Sequence, residues 1–169
     1  MNIRRMTRLG LLSAIALTIF MLEAQIPPPV PVPGIKLGLA NIVTVFAVFA
    51  LGSWDGVAVL TVRIILGAVF SGNFGTIFYS AAGGFLAILV TVALRPVLKR
   101  RQLWVAGCLG AMAHSIGQMV MAVLLTGTAA LLVYLPVLLL SSLVAGLFTG
   151  LCAQFLVDRG DRFWKTVFK

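Results

Sequence analysis

Charge is what this sequence has least of. Only 10% of its 169 residues are Asp, Glu, Lys or Arg, whereas a water-soluble domain carries roughly 25%. A soluble globular protein of this length would need more charged residues than this to cover its surface. The scarcity excludes a soluble enzyme, a disordered tail and a nucleic-acid-binding domain, in spite of the net charge of +9.

Acidic residues are especially rare, and their placement argues against catalysis. The chain has four of them: Glu23, Asp55, Asp158 and Asp161. They form no D-D-x-x-D type of cluster that could hold Mg²⁺ against a diphosphate. The sequence also lacks the G-x-x-x-x-G-K-[ST] loop that cradles nucleotide phosphates. We therefore predict that the protein is not an enzyme, does not hydrolyse ATP and uses no cofactor.

Cysteine and histidine are equally sparse. Cys108 and Cys152 both lie inside apolar runs, so they provide neither a disulfide framework nor a metal-binding spacing. His114 is the sole histidine, and it has no cysteine or carboxylate neighbour at the spacing of a metal site. No metal site is predicted.

The chain is instead rich in apolar residues, which make up 61% of it. They are gathered into six runs, and a bilayer core of about 30 Å needs about 20 helical residues per span. The sequence thus predicts an all-α membrane bundle with a single domain over 1–169. The second and third runs are short, so we expect less tilt there or shelter by neighbouring helices. The predicted spans are 8–26, 37–52, 55–71, 75–94, 103–126 and 135–157.

The loop between the first two spans is rich in proline. Residues 27–34 contain five prolines, which fix an extended, stiff backbone. We expect this loop to fold over one end of the bundle.

The basic residues predict the orientation. Eleven of the thirteen lie in segments 4–8, 95–101 and 159–169, which an even number of spans places on one side of the membrane. The positive-inside rule makes that side cytoplasmic. Segment 158–169 mixes basic with aromatic residues and is predicted to be an interfacial tail. The protein is therefore expected in a prokaryotic cytoplasmic membrane, in contact with the lipid bilayer and with both ends inside.

Polar residues of the spans fall mainly in the outer halves, which predicts a cavity that opens outward. His114 and Gln118 are four residues apart and share one helix face. His114 is interpreted either as a structural core residue or as a pocket residue, since ionisable groups in membranes are often functional. The predicted solute contacts are Glu23, Lys36, Asn41, Arg63, Tyr79, His114 and Gln118.

Arg63 and Lys36 each allow two interpretations. An arginine at mid-bilayer costs roughly 2.5–3.5 kcal/mol on insertion scales. Arg63 is therefore either paired structurally, with Glu23 or with helix carbonyls, or acts as the counter-charge of an anionic substrate. Lys36 is either a solvated loop residue or a second contact to that substrate.

The first span carries a stripe of small residues. Gly10, Ala14 and Thr18 recur every fourth residue, a spacing that allows another helix to pack closely. The stripe serves either packing within the bundle or the docking of a separate membrane subunit.

One stretch resembles a known family. The run P-G-I-K-L-G-L-A-N over 33–41, followed by an apolar helix and by G-S-W-D-G over 52–56, resembles the Gx transporter family, labelled heptaprenyl diphosphate synthase component I. That family is similar to the substrate-binding S components of energy-coupling factor (ECF) vitamin transporters. The resemblance implies a six-helix bundle that binds a small solute from outside. It also implies an ECF membrane subunit and two ATPase subunits as partners, with the Gly10, Ala14 and Thr18 stripe in place of the family's A-x-x-x-A docking motif.

Two functions follow from this sequence. The first is an S-component-like uptake protein for a small, anionic or phosphorylated solute. The alternative is a non-transporting membrane partner of a polyprenyl diphosphate synthase, or of a quinone- or flavin-linked redox system. Neither function involves nucleic acid.

Overall fold

The computed structural model describes residues 3–27 and 35–167, with side chains given except for residue 100 and residues 161–167. These residues contain six α-helices and no strand, so the predicted all-helical class is confirmed. The helices are α1 (Ile3–Glu23), α2 (Asn41–Ala50), α3 (Ser53–Ser71), α4 (Gly75–Leu94), α5 (Leu103–Thr126) and α6 (Leu135–Val167). Short 3₁₀ turns, Arg100–Gln102 and Ala129–Tyr134, precede α5 and α6.

Five helices of the described chain, all except α2, are long and apolar enough to cross a membrane. Many of their large apolar side chains point outward, among them Phe78, Phe85, Leu140 and Phe148. Such a surface is unfavourable in water and matches hydrocarbon. The protein is a multi-pass membrane protein.

Some helix bounds coincide with the predicted spans and others differ; the first helix runs over Ile3–Glu23, whereas the predicted span is 8–26. The bounds of α4 and α5 are the predicted ones, and α3 begins two residues early. The last helix differs, because α6 continues beyond 157 to Val167. No proline interrupts residues 158–167, so most of the predicted interfacial tail extends this helix. Residues 28–34 of the proline loop and residues 168–169 lie outside the described residues.

The second helix is shorter than the sequence predicts. The predicted span 37–52 is wrong at its start. Residues 35–40 are not helical, and Gly38 has a φ of 81°. That backbone conformation is incompatible with a right-handed helix. The ten residues of α2 make a helix of about 15 Å, about half the thickness of the hydrocarbon core.

Helix α2 occupies the centre of the bundle. It contacts each of the other five helices, and seven of its ten residues are buried. Around it, α1 packs on α3, α3 on α4, α4 on α5 and α5 on α6. Within the described residues the backbones of α1 and α6 do not approach each other closely. The long helices therefore form an open ring around α2.

The closest helix approaches are made by glycine. A Cβ atom added to Gly150 would lie 2.6 Å from the Trp104 Cα, and one added to Gly117 would lie 2.5 Å from the Ala82 carbonyl oxygen. These positions join α5 to α6 and α4 to α5 without room for a side chain. The α4–α5–α6 unit is thus tightly packed.

Polar contacts identify one end of the bundle, which we call the basic end. Arg5 in the first turns of α1 donates to Asp55 near the start of α3, with its Nε at 2.8 Å and its Nη2 at 2.6 Å from the same carboxylate oxygen. Arg95, after α4, donates to Ser53 Oγ at 3.4 Å. The first residues of α1 and α3 and the last residues of α4 therefore lie together at the basic end.

Candidate functional site

Ionisable side chains are almost absent from the body of the bundle. Residues 9–54, 56–94 and 103–157 contain four Asp, Glu, Lys, Arg or His residues in all, although they make up most of the chain. These four are Glu23, Lys36, Arg63 and His114. The structure brings them within electrostatic range of one another, on α1, the 35–40 segment, α3 and α5.

Glu23 ends α1 and is 4% exposed. Its Oε1 accepts a hydrogen bond of 2.5 Å from the backbone N–H of Gly38. Arg63 and Lys36 lie close enough to stabilise the carboxylate electrostatically. No direct ion pair joins Glu23 to Arg63 or Lys36 among the described residues. The structural pair between Glu23 and Arg63 that the sequence allowed is therefore not formed as a direct contact.

The two cations share an aromatic neighbour, Phe20. The Lys36 Nζ lies 3.6 Å from the centroid of the Phe20 ring, and the Arg63 Cζ lies 5.7 Å from it. Both distances allow a favourable cation–π contact. Phe20 in turn packs against Gly67 of α3, which leaves space for the ring.

The His114 ring is enclosed by two glycines from different elements. A Cβ at Gly38 would lie 3.1 Å from the His114 Cδ2, and one at Gly83 of α4 would lie 2.9 Å from the His114 Cε1. His114 is 2% exposed and lies near the middle of α5. Gly38 therefore reaches the mid-height of the bundle, and the 35–40 segment runs inside it.

Two buried side chains satisfy the backbone of this segment. Glu23 accepts from Gly38, and the Oε1 of Gln118 accepts from the backbone N–H of Lys36 at 3.2 Å. Non-helical backbone at membrane depth is tolerated where protein satisfies it in this way. Gln118 is 1% exposed, so its position is determined by packing as well as by this bond.

Several buried polar atoms have no hydrogen-bond partner in the described part of the chain. Those near the charged group are the Asn41 side-chain amide, Nε and Nη2 of Arg63, Nδ1 of His114 and Oγ1 of Thr44. Asn41 and Thr44 lie in the first turn of α2, and Asn41 is 5% exposed. A helix N-terminus carries a partial positive charge. The group thus offers unpaired donors at a positive location inside the bundle.

A cavity of about 270 Å³ lies at the end of the bundle opposite the basic end. Its walls come from the end of α1, residues 35–37, the end of α3 and the start of α4. Glu23 and Lys36 belong both to this cavity and to the buried group. Its other polar lining residues are Ser71, Asn73 and Thr76.

Tyr79 lies apart from the charged group. It is partly buried against an apolar cluster of Ile35, Met119, Ala122 and Leu138, together with Tyr134. This cluster packs on the beginning of the 35–40 segment. The structure thus brings six of the predicted contacts together and leaves Tyr79 outside this group; the six are Glu23, Lys36, Asn41, Arg63, His114 and Gln118.

The small-residue stripe of α1 faces outward. Gly10, Ala14 and Thr18 are exposed, whereas Leu12 and Ala16 between them are buried. A Cβ added to Gly10 would meet nothing within 4 Å. The stripe therefore takes no part in packing within the described chain.

Sequence reasoning missed four residues of this site. Phe20 looks like any other apolar residue of a spanning helix, and Gly83 is one of the 17 glycines. Gly38 is in the recognised run over 33–41, but its contact with His114 depends on tertiary structure. Thr44 carried no signal beyond being one polar residue in an apolar run.

Comparison with known proteins identifies the family of this chain. The family model described as heptaprenyl diphosphate synthase component I matches residues 12–156, which include all the predicted solute contacts. No curated protein and no solved structure matches the chain. Since the match covers most of the sequence, the chain belongs to the heptaprenyl diphosphate synthase component I family.

Proposed function

We propose that the protein is a solute-binding membrane component that captures a small anionic solute. The observation that carries the proposal is the convergence of Glu23, Lys36, Arg63 and His114 in one place. Charges inside a membrane are costly. The body of the bundle has only these four ionisable side chains and brings them together, so we take their location as the binding site.

The unpaired donors support binding rather than a purely structural role. A structural arginine is expected to use its N–H groups on protein acceptors, because an unpaired buried donor costs about 1–3 kcal/mol. Arg63 is 2% exposed, and its Nε and Nη2 have no partner in the described chain. An anion placed against them would satisfy these two donors.

The short central helix supports the same proposal. Membrane transporters bind substrates where a spanning helix is interrupted, and the N-terminus of a half-helix attracts an anionic group. Helix α2 begins at mid-height beside His114, after the irregular 35–40 segment. The cavity next to Glu23 and Lys36 provides an entrance from the end opposite the basic end.

The proposal also includes the orientation of the protein in the membrane and a contact surface for a partner subunit. With the basic end in the cytoplasm, six membrane segments of a single domain have both termini inside, and the cavity opens outward. The exposed stripe of Gly10, Ala14 and Thr18 is the proposed contact for an ECF membrane subunit, which carries two ATPase subunits. The protein itself is then a binding component and not an enzyme.

Native mass spectrometry of the detergent-purified protein tests the proposal. We expect a bound small molecule that is lost from the Arg63→Gln and Asn41→Ala variants. Arg95→Gln is the matched control, because it removes a guanidinium from the basic end. A wild-type protein without any bound small molecule, purified or after incubation with a metabolite extract, would contradict the proposal.

The family description favours a second candidate function. Its name refers to a component of heptaprenyl diphosphate synthase, so the chain could act as the membrane partner of such a synthase, without transport. The basic end, with Arg95, Lys99 and Arg101, would face a soluble subunit in the cytoplasm. Co-purification with a polyprenyl diphosphate synthase subunit, lost when these three residues are changed to Gln and retained by Arg63→Gln, would favour this function over solute binding.

A further inference from the structure

We infer that the solute is a monocarboxylate, whose carboxylate binds the Nε and Nη2 edge of Arg63. The inference rests on the proposed function, because it names the chemical class that the same site would accept.

The first argument is the net charge of the site. Lys36 and Arg63 supply two positive charges and Glu23 supplies one negative charge. The proposal takes the His114 imidazole as neutral, because a protonated ring would add a third buried positive charge without any further carboxylate. Residues 28–34, which follow α1, are Pro, Val and Gly and add no charge. The site therefore has a net charge of +1.

A single negative charge matches that site. A buried charge without a partner is strongly unfavourable, because the desolvation of the ion is not compensated. A neutral solute would leave the site at +1, and a dianion such as a phosphomonoester would bring it to −1. A monoanion brings it to zero, with the N-terminus of α2 adding a partial positive charge beside it.

The second argument is the geometry of Arg63. Its Nε and Nη2 are adjacent donors on one edge of the guanidinium, and both lack a partner in the described chain. Arg5 directs the same two atoms at one oxygen of the Asp55 carboxylate, at 2.8 and 2.6 Å. The chain thus contains one guanidinium edge that holds a carboxylate and a second, buried edge that is free within the described residues. A planar carboxylate can accept from both donors of such an edge, with one oxygen or with two.

The guanidinium edges of Arg5 and Arg63 differ in where they lie in the bundle. The Arg5–Asp55 pair is at the basic end and is partly exposed, whereas Arg63 is 2% exposed near the middle of α3. Glu23 lines the cavity of about 270 Å³ and also lies within electrostatic range of Arg63, so the remainder of a small molecule would extend past Glu23 into that cavity. The carboxylate would lie deep in the site and the apolar body toward the cavity.

The test measures the charge preference of the full-length protein in detergent. The probes are benzoate, phenylacetate and cinnamate, their primary amides, the phosphomonoesters phenyl phosphate and benzyl phosphate, and chloride alone. Binding is measured by native mass spectrometry and by ligand-induced thermal stabilisation. We expect at least one carboxylate to bind at least tenfold more tightly than its amide and than both phosphomonoesters.

Charge variants make the test sharper. Glu23→Gln keeps an acceptor for Gly38 and raises the site to +2, so the preference should shift at least tenfold toward phosphomonoesters. Lys36→Gln lowers the site to zero and should shift it toward amides. Arg63→Lys keeps the charge but removes the two-donor edge, so carboxylate binding should weaken about tenfold or more while the preference over amides remains. Arg95→Gln should change none of these values.

Each outcome has a separate meaning. If phosphomonoesters or amides bind the wild type as tightly as carboxylates, the monocarboxylate inference is wrong and the proposed solute-binding function stands. If chloride alone gives the full stabilisation, the site holds an inorganic ion and the inference is wrong as well. If no probe binds and no small molecule co-purifies, both the inference and the proposed function are wrong.

Discussion

The backbone N–H of Gly38 donates a hydrogen bond of 2.5 Å to the side-chain carboxylate of Glu23. Fifteen residues separate the two, and the proline loop lies between them. The contact holds the 35–40 segment inside the bundle, where α2 then begins. Glu23 thereby ties the end of the first helix to the start of the second and places Lys36 and Asn41 in one site.

Removing this carboxylate should destabilise the protein. We expect Glu23→Ala to lower the free energy of unfolding by about 1–3 kcal/mol, because the Gly38 donor is left buried without an acceptor. Glu23→Gln retains an acceptor and should cost less. Reversible unfolding in mixed micelles measures both. Equal losses for the two variants would show that the hydrogen bond is not what matters.

Gly38 should not tolerate a side chain. Gly38→Ala adds a Cβ 2.9 Å from the Asn41 Nδ2 and 3.1 Å from the His114 Cδ2, at a φ of 81°. The left-handed conformation alone costs an L-residue roughly 1–2 kcal/mol. Gly72→Ala is the matched control, since Gly72 has a φ of 63° with nothing within 4 Å. Thermal unfolding should show a larger loss for Gly38→Ala, and solute binding should be lost in that variant alone.

Arg63 should contribute to binding more than to the stability of the solute-free protein. Arg63→Met removes a buried charge that has no direct ion pair among the described residues, and the desolvation of such a charge is unfavourable in the solute-free protein. We expect an unchanged or higher unfolding temperature without solute, together with a loss of binding. Unfolding of the variant would instead support a structural role for Arg63.

Lys36 and Gln118 are expected to contribute to affinity. Losing one charge-assisted hydrogen bond costs roughly 1.5–3 kcal/mol, about ten- to hundredfold in affinity. Lys36→Ala and Gln118→Ala should therefore weaken solute binding while leaving the protein folded, as judged by circular dichroism. If neither variant changes the affinity, the site lies elsewhere.

Two exposed positions test the orientation. Asn73 lies at the end with the cavity and Gln102 lies at the basic end. With Cys108 and Cys152 replaced by alanine, a membrane-impermeant thiol reagent added outside cells should label Asn73→Cys and not Gln102→Cys. The reverse pattern would place the cavity on the cytoplasmic side and contradict uptake from outside.

The α1 stripe can be tested with two neighbouring alanines. Ala14 is exposed and Ala16 is completely buried. Ala14→Leu should abolish co-purification with an ECF membrane subunit and leave solute binding and stability unchanged. Ala16→Leu should destabilise the bundle, because a well-packed core has no room for the larger side chain. Retained co-purification of Ala14→Leu would show that this stripe is not the docking surface.

The sequence by itself determined the class of the protein and most of its helices. Each spanning helix satisfies its own backbone, so an apolar run of sufficient length predicts it without knowledge of any neighbour. This is why α4 and α5 have the predicted bounds. The scarcity of charge also showed which side chains deserved attention, since Glu23, Lys36, Arg63 and His114 stand out in an apolar background.

Tertiary structure alone decided the start of α2 and the assembly of the site. Residues 37–40 are apolar enough to continue a helix, but Gly38 turns away from helical geometry where Glu23 binds its N–H and the His114 ring packs against it. Phe20 joins the two cations for a similar reason, because its role depends on Lys36 and Arg63 meeting across three elements. These contacts join residues far apart in the chain, and the period of an apolar run carries no information about them.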